Sequence, residues 1–239
     1  MLKDRQVEIL LATVEEYING SEPVSSRLLF RRYDFGIRPA SIRSELNELE
    51  AGGYLSQPYT SGGRVPTDSA YEFYIEYLKQ KPQRDINPSR ALFNLADTIF
   101  QGEFDDFVEG MAHELHAMSA GFIFGDNRMA QSGLDELFEA LDASGAETFR
   151  EVARDLEALD ERIEKYVERK DIRRDGLEVF IGEKSPLAKN KNLSTICDFY
   201  EMPNKHNFFL IAIQPKRADY AKNVRTFRGL KRALQRNKA

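Results

Sequence analysis

The 239-residue sequence predicts an α+β protein. Apolar residues recur at helical spacing in most segments between residues 3 and 170, whereas three runs rich in β-branched and aromatic residues follow at 177–182, 195–201 and 208–214. A polar stretch with two prolines, KQKPQRDINPSR, separates an N-terminal region from the rest. We therefore expect a domain over residues 1–80, a linker over 81–90 and a second, α+β domain over 91–239.

The composition is typical of a soluble protein, with 41% hydrophobic and 31% charged residues. No apolar run approaches the roughly 18 residues that a membrane span needs. The N-terminal segment carries acidic residues within its apolar stretch and lacks a cleavage site, so we expect no signal peptide and a cytoplasmic protein. The single cysteine, Cys197, excludes an internal disulfide and is expected to be a small strand residue.

Charge is distributed unevenly along the chain, although the net charge is only −5. Residues 25–43 contain five arginines and one aspartate, a net charge of +4. Residues 97–161 contain seventeen acids and three bases, and residues 205–239 contain ten bases and one acid. A local basic surface is sufficient to attract phosphates, because screening confines the interaction to about 10 Å.

The N-terminal domain begins with two predicted helices, at 3–19 and about 25–33. A third helix is predicted from Pro39 to Glu50, because proline suits the first helical position and Gly52-Gly53 permits a left-handed turn after the end. Ile42, Leu46 and Leu49 share one stripe of this helix and should be buried. The opposite face is short and polar.

A small hairpin follows, with strands predicted at 54–59 and from Arg64 onward. Its tip is Thr60-Ser61-Gly62-Gly63, where we expect the glycine pair to supply positive φ angles. Helices followed by a glycine-rich hairpin are the pattern of a winged helix-turn-helix, in which the third helix enters the major groove of DNA.

The predicted DNA-binding residues fall into two groups. An arginine near the start of a recognition helix is the side chain most often used to read guanine, and an arginine on a wing is placed to reach phosphate or the minor groove. The residues expected to address base edges and nearby phosphates are Arg38, Ala40, Ser41, Arg43, Ser44 and Asn47. Those expected to position the protein on the backbone are Arg27, Tyr59, Thr60, Ser61 and Arg64. Arg31-Arg32 fits either a phosphate contact or a solvated helix end.

A helix at 68–78 carries aromatic residues at helical spacing. Burial on two sides explains this pattern better than a stacking platform for single-stranded nucleic acid, which is the alternative.

The second domain should contain helices at 89–100 and 103–119, a strand at 121–125, a turn at 126–133 and a short helix at 134–141. One long helix is predicted over 146–170, with apolar residues spaced 3, 4, 3, 4, 3. This repeat fits either packing on the protein's own sheet, which we favour, or a dimer seam, because it spans fewer heptads than a secure coiled coil. Of the three strands, 208–214 is continuously apolar, as expected of a central strand.

The closing helix, predicted over 219–235, has an apolar side and many bases. Its basic residues suit a solvated surface, a surface that pairs with the acidic segment 97–161, or an additional DNA contact. The bases are Lys222, Arg225, Arg228, Arg232 and Arg236.

Signs of catalysis are scarce. His113 and His116 are three residues apart, whereas zinc proteases need histidines four apart, so we expect two packed or surface residues. His206 is the third histidine of the sequence. The sequence contains no Walker-type loop and no GxSxG turn. We therefore expect that the protein is not an enzyme and that it has no metal site and no cofactor.

Two segments resemble a known family. RQVEILLATVEEYINGSEPVSSRLL and RPASIRSELNELEAGGYLSQPYTSGGRVPTDSAYEFY are similar to the N-terminal domain of bacterial heat-inducible transcription repressors of the HrcA family. VFIGEKSP, TICDFYE and IAIQPKRADYAKNV resemble the closing segment of that family. Arg38 stands where the family usually has a small hydroxyl residue, and Ser44 where it has an amide. Most of the family's inserted dimerisation domain is absent.

The resemblance implies a homodimeric repressor of chaperone genes that binds an inverted-repeat operator and leaves it on heat stress. It also implies that a chaperonin of the GroEL type acts as a partner, and that the second domain is GAF-like and serves regulation or dimerisation. The alternative function is a GAF-like regulator that senses a ligand or partner, with a winged-helix output that is not specific to heat.

Overall fold

The computed structural model describes residues 2–59, 62–81, 87–141, 146–168, 176–202 and 207–236. The chain forms two compact units, Met1–Gln80 and Lys81–Ala239. Both helices and sheet are present, so the α+β class is confirmed. None of the helices in the described ranges is long and apolar enough to cross a membrane.

The N-terminal unit consists of helices and a small antiparallel sheet. In chain order its elements are α1 (Asp4–Gly20), α2 (Ser26–Arg32), α3 (Pro39–Ala51), β1 (Leu55–Ser56), β2 (Val65–Pro66) and α4 (Asp68–Gln80). The helices agree with the sequence prediction to within one or two residues. The core residues of α3, which are Ile42, Leu46 and Leu49, are all fully or nearly fully buried.

Local signals explain the ends of α2 and α3. The Ser25 hydroxyl accepts a hydrogen bond from the Leu28 amide (3.2 Å) and caps α2. Pro39 begins α3, and Gly53 turns the chain after it with φ of 79°.

The hairpin differs from the prediction in two respects. Its paired segments are only two residues each, and Arg64, the residue before β2, pairs with Val24 through two backbone hydrogen bonds of 2.8 Å. Gly63 does not supply a positive φ angle. A Cβ at Gly63 would lie 2.5 Å from the carbonyl oxygens of Pro23 and Val24, so glycine is needed there for close backbone approach. The predicted tip residues Thr60 and Ser61 lie outside the described residues.

The second unit is built around a five-stranded antiparallel sheet in the order β4-β3-β7-β6-β5. Its helices are α5 (Arg90–Phe100), α6 (Phe104–Leu115), α7 (Leu134–Ala140), α8 (Ala146–Leu156), α9 (Leu159–Val167) and α10 (Tyr220–Arg236). Its strands are β3 (Met118–Ile123), β4 (Arg128–Ser132), β5 (Glu178–Ile181), β6 (Leu193–Tyr200) and β7 (Phe208–Pro215).

The central position predicted for the apolar run 208–214 is confirmed, since β7 lies between β3 and β6. Alternate β7 side chains enter two cores. Phe209, Ile211 and Ile213 pack in the cluster that includes residues of α7, α8 and α9. Phe208 stacks on Tyr200 at 4.9 Å and meets Phe107 of α6 edge to face at 5.4 Å. Both faces of the sheet are therefore covered.

The predicted helix 103–119 was too long. His116 adopts a left-handed conformation with φ of 49°, which ends α6. The chain then enters β3 at Met118, opposite Ile213 of β7, so β3 begins before the predicted residue 121. Pairing with a strand nearly one hundred residues away overrides the local helical preference.

The segment predicted as a turn at 126–133 instead contains β4, which pairs with β3 from Ile123↔Arg128 to Ser119↔Ser132. Asn127, with φ of 49°, lies in the tight turn between the two strands. β4 is an edge strand that buries mainly Ala130, and its polar sequence therefore lacks the apolar signal of a strand.

The predicted long helix 146–170 is two helices, α8 and α9, and residues 169–170 lie outside the described residues. The Arg162 side chain lies at the break and donates to the Asp155 carbonyl (3.0 Å), the Asp155 carboxylate (2.8 Å) and the Leu187 carbonyl (2.9 Å). The apolar stripe is buried in the unit's own core, as Val152, Leu159 and Ile163 are at most 1% exposed. Packing on the protein's own sheet is confirmed, and the dimer-seam interpretation is wrong.

Candidate nucleic-acid interface

The exposed face of α3 contains the six residues that the sequence assigned to it. Ile42, Leu46 and Leu49 point into the core, and the opposite side of the helix is open to solvent. The exposed residues are Arg38, Ala40, Ser41, Arg43, Ser44 and Asn47. The structure therefore presents two arginines and three small polar side chains together on one side of α3, beginning at the N-cap residue Arg38.

Acidic residues occupy the second half of α3. The Glu48 carboxylate accepts a hydrogen bond from the Gln6 side chain of α1 (2.8 Å), and Glu50 forms an ion pair with Arg64 (2.8 Å). Two of the three carboxylates in this half are thus engaged within the unit, and the positive charge of α3 lies near its N-terminal end.

The arginines of α2 differ in their surroundings. Arg27 and Arg31 are exposed. Arg32 donates to the Glu16 carboxylate (2.7 Å), whose side chain is only 6% exposed. Arg32 therefore belongs to an ion pair that anchors the end of α2, although its own side chain is 59% exposed. Both arginines of the Arg31-Arg32 pair are thus exposed, and Arg32 also has a structural contact.

Tyr33 completes this anchor by donating its hydroxyl to Glu16 (3.1 Å). Burial raises the pKa of Tyr33 to about 12, and the hydrogen bond and negative charge of Glu16 act in the same direction. The role of Glu16 could not be predicted from the sequence, because Glu16 meets Arg32 and Tyr33 only when α1 and α2 pack together.

Two residues of the hairpin that the sequence analysis assigned to DNA, Tyr59 and Arg64, are described, and they occupy different environments. Tyr59 is 72% exposed. The Arg64 side chain is only 12% exposed, and its guanidinium donates to the Asn47 side-chain oxygen and bonds to Glu50, both at 2.8 Å. The Arg64 side chain is thus held on α3 by two polar contacts.

A cleft of about 200 Å³ lies where the start of α2, the middle of α3 and the wing meet. Its lining is largely polar and includes Ser25, Ser26, Arg43, Asn47, Gln57 and Arg64. The cleft lies between the exposed face of α3 and the hairpin. It therefore brings Arg43 and Asn47, which were expected to address base edges, close to Arg64, which was expected to contact the DNA backbone.

The other candidate sites of the sequence analysis have structural explanations. Tyr71 and Tyr74 of α4 are 2% and 3% exposed, so the stacking platform is wrong and packing is confirmed. His113 and His116 are exposed and lie near Glu136, with the His113 Nδ1 at 2.6 Å. No group of three metal-ligating side chains occurs in the described ranges, which do not include His206.

The basic closing helix is largely a core element. Tyr220, Val224, Phe227 and Leu230 of α10 are at most 3% exposed, whereas Arg225 is exposed. Lys231 lies 3.4 Å from the buried Asp198 carboxylate of β6. Burial nevertheless raises the pKa of Asp198, and burial lowers the pKa of Arg228. The Arg236 side chain lies outside the described part of the chain.

Comparison with known proteins decides the family. The sequence profile of the HrcA protein C terminal domain matches residues 72–224, which is more than half of the chain. The chain belongs to the HrcA family. The profile match agrees with the resemblance that the sequence motifs indicate.

Two HrcA relatives illustrate the extent of the similarity, and both are named heat-inducible transcription repressor HrcA. The protein of Thermodesulfovibrio yellowstonii is 50% identical over 101 residues, which cover 41% of this chain and 29% of that protein. That of Symbiobacterium thermophilum is 45% identical over 118 residues, covering 48% and 33%. The matched segments thus span a third or less of these HrcA relatives.

One solved structure resembles the whole chain. It is a crystal structure of a hypothetical protein at 2.2 Å resolution, with a TM-score of 0.77, 17% sequence identity and coverage of 98% of both chains. At this identity the likeness supports the fold alone.

Proposed function

We propose that this HrcA-family protein is a transcription repressor that binds an inverted-repeat DNA operator through a winged helix-turn-helix in residues 1–80. The observation that carries the proposal is the division of α3 into a buried apolar stripe and an exposed polar face. Its thirteen residues extend for about 20 Å, a length suited to the major groove. The names of the HrcA relatives support repression as the output.

In this proposal, the exposed residues of α3 read base edges. Arg43 has the bidentate guanidinium that matches guanine, and the small side chains around it allow close approach to the groove. Arg27 contacts the phosphate backbone from α2, and Tyr59, Thr60 and Ser61 do so from the wing. Three of the exposed arginines, Arg27, Arg38 and Arg43, supply local positive charge that the net charge of −5 conceals.

The remaining parts of the proposal are supported by family membership and, for the linker, by the polar sequence of residues 81–90. Residues 81–90 act as a linker, and residues 91–239 form a GAF-like domain that serves regulation and dimerisation. A homodimer in the cytoplasm presents two recognition helices to the two halves of the operator. Heat stress releases it from chaperone genes, and a chaperonin of the GroEL type assists its activity.

Selection from random duplexes tests the proposal and identifies the operator in the same experiment. Repeated binding, recovery and sequencing with the full chain should enrich one inverted repeat. Replacing Arg43 with alanine should then weaken binding to the selected duplex by about 1–3 kcal/mol, or roughly 5- to 150-fold, and relax the preference at one base pair. Fluorescence anisotropy on the selected duplex and its single-base variants measures both effects.

Arg154→Ala is the matched control, since this residue is exposed on α8 and the charge change is the same. It should leave the affinity within twofold of the wild type. Failure of the selection to return any motif would contradict the repressor function, and equal losses for Arg43→Ala on selected and random DNA would contradict base reading.

Ligand sensing by the second unit is less well supported. A cleft beside the α5–α6 corner, lined partly by Phe100, Phe104 and Met202, has a volume of about 220 Å³. This cleft is smaller than pockets for drug-sized ligands, which are roughly 300–1,000 Å³. A larger depression of about 500 Å³, beside Asp155 and Lys189, is wide open and lined by charged and polar side chains, so it does not enclose a ligand. We therefore do not extend the proposal to a small-molecule effector.

A further inference from the structure

Arg64 lies at a junction of three segments in the N-terminal unit. Its backbone forms two hydrogen bonds of 2.8 Å with Val24, which precedes α2. Its side chain crosses to α3, and the next residue, Val65, begins β2. A single residue thus connects the start of α2, the recognition helix and the returning strand of the wing.

The α3 partners of Arg64 are arranged to hold its side chain. Asn47 and Glu50 are three residues apart and therefore share one face of the helix. Each contributes an oxygen 2.8 Å from the Arg64 guanidinium. The bonded side chain is only 12% exposed, and Glu50 is 34% exposed, so water screens the pair less than it screens an exposed one.

The backbone segments at this junction are packed too closely to admit a side chain at residue 63. Gly63 approaches the Pro23 and Val24 carbonyl groups so closely that a Cβ would overlap them. The wing is therefore held against residues 23–24 by its backbone and against α3 by the Arg64 side chain.

We propose that Arg64 is a positioning residue that fastens the wing to α3, and that it does not contact a DNA phosphate. Glu50 balances its charge, so Arg64 adds little to the attraction of phosphates. Its hydrogen bond also fixes the orientation of the Asn47 amide on the face that reads DNA. The inference rests on the proposed function only for its DNA-binding consequences.

Hydrogen exchange in the full chain tests the fastening without DNA. The variants Arg64→Ala and Glu50→Ala remove the side-chain bond from opposite ends. Each should accelerate exchange of the backbone amides at positions 24 and 64 about tenfold, because loss of the side-chain bonds allows the junction to open more often. Arg64→Lys should give a smaller acceleration, since lysine retains the positive charge that pairs with Glu50.

Glu8→Ala is the matched control for Glu50→Ala, because Glu8 is exposed on α1. It should leave the exchange rates of the amides at positions 24 and 64 unchanged. If Arg64→Ala and Glu50→Ala also leave both amides unchanged, the positioning role is overturned. Glu50→Ala also covers the case in which Arg64→Ala fails to fold.

The salt dependence of DNA affinity distinguishes positioning from phosphate contact. Each phosphate neutralised contributes about −0.9 to the slope of log K against log salt concentration. Arg64→Ala should lower the affinity for the selected duplex about tenfold and leave this slope unchanged, whereas Arg27→Ala should make it shallower by about 0.9. A slope shallower by about 0.9 in Arg64→Ala would overturn the inference in favour of a phosphate contact.

The two failures remain distinguishable. A wild-type chain that binds no selected duplex contradicts the proposed function, while the exchange rates still decide whether Arg64 fastens the wing.

Discussion

Single residues determine the backbone geometry where segments of the N-terminal unit meet. Gly63 has no room for a side chain, because the carbonyl groups of residues 23 and 24 lie where its Cβ would stand. Glu16 is a buried acceptor for both Arg32 and Tyr33 at the end of α2. Both residues act on elements distant in sequence, so their substitution should affect the unit beyond the local turn.

Replacing Gly63 with alanine should destabilise the protein by about 1–3 kcal/mol, because the methyl group forces the Val24–Arg64 bridge apart. Chemical denaturation of the full chain measures the change. Gly20→Ala is the matched control, since nothing lies within 4 Å of its Cβ position at the end of α1. That control should be neutral or stabilising by up to about 1 kcal/mol, and an equally tolerated Gly63→Ala would show that the wing yields easily.

The raised pKa of Tyr33 predicts a loss of stability in alkali. The folded protein binds this proton more tightly than the unfolded chain, whose tyrosines titrate near pH 10. The contribution of Tyr33 is therefore complete below about pH 10 and declines as the pH rises to its folded value of about 12.

Tyr33→Phe removes this titration. Between pH 9 and 12, the difference in unfolding midpoint between wild type and variant should shrink, because only the wild type loses the Tyr33 contribution. Parallel curves across this range would show that Tyr33 titrates normally.

At the scale of elements, the break between α8 and α9 illustrates how tertiary contacts divide a helical segment. Asp155, near the end of α8, accepts from Arg162 and from the backbone amides of Lys189 (2.8 Å) and Asn190 (3.2 Å). It connects both helices to the segment before β6. A continuous helix over the same residues would change the relative direction of these groups.

Asp155→Ala should therefore destabilise the protein by on the order of 3 kcal/mol, because it removes the carboxylate that pairs with a partly buried arginine and leaves two backbone amides without their acceptor. Thermal unfolding of the full chain measures the loss. Asp155→Asn keeps an oxygen acceptor and should lose less. Glu157→Ala is the exposed control and should stay within about 0.5 kcal/mol of wild type, and a similar result for Asp155→Ala would remove Asp155 from the support of the break.

At the scale of the whole molecule, charge is segregated along a chain whose net charge is −5. The structure adds that the bases of the closing helix are partly used inside the fold, where Lys231 faces Asp198. The basic residues proposed for DNA therefore lie on α2 and α3. One such small surface gives limited specificity, which explains why the proposed operator contains two half-sites.

A homodimer should bind the inverted repeat as two chains per duplex. Joining two modules raises apparent affinity by about 10²–10⁴ over one module, so a duplex with a single half-site should bind correspondingly more weakly. Sedimentation at micromolar concentration, with and without the selected duplex, measures the stoichiometry. One chain per inverted repeat would instead indicate a monomeric DNA-binding protein.

The candidate interface illustrates how far the sequence alone reaches. The exposed face of α3 could be predicted residue by residue, because helical periodicity determines which side chains accompany Ile42 and Leu46 into the core. The partners of Arg64 could not be predicted, since Glu50 and Asn47 meet it only through the packing of the hairpin on α3. Charge and position alone therefore predicted only an arginine placed to reach DNA.

The sequence by itself determined most helix positions, the core stripe of α3 and the central place of the apolar strand β7, because these follow from local periodicity and composition. Only the tertiary structure decided that β4 is a strand, that residues 146–167 form two helices and that their apolar stripe is covered within the unit. These outcomes depend on pairing and packing between distant segments, such as Met118 with Ile213. Local patterns indicate which side of an element is apolar. Which other element covers that side depends on the tertiary structure.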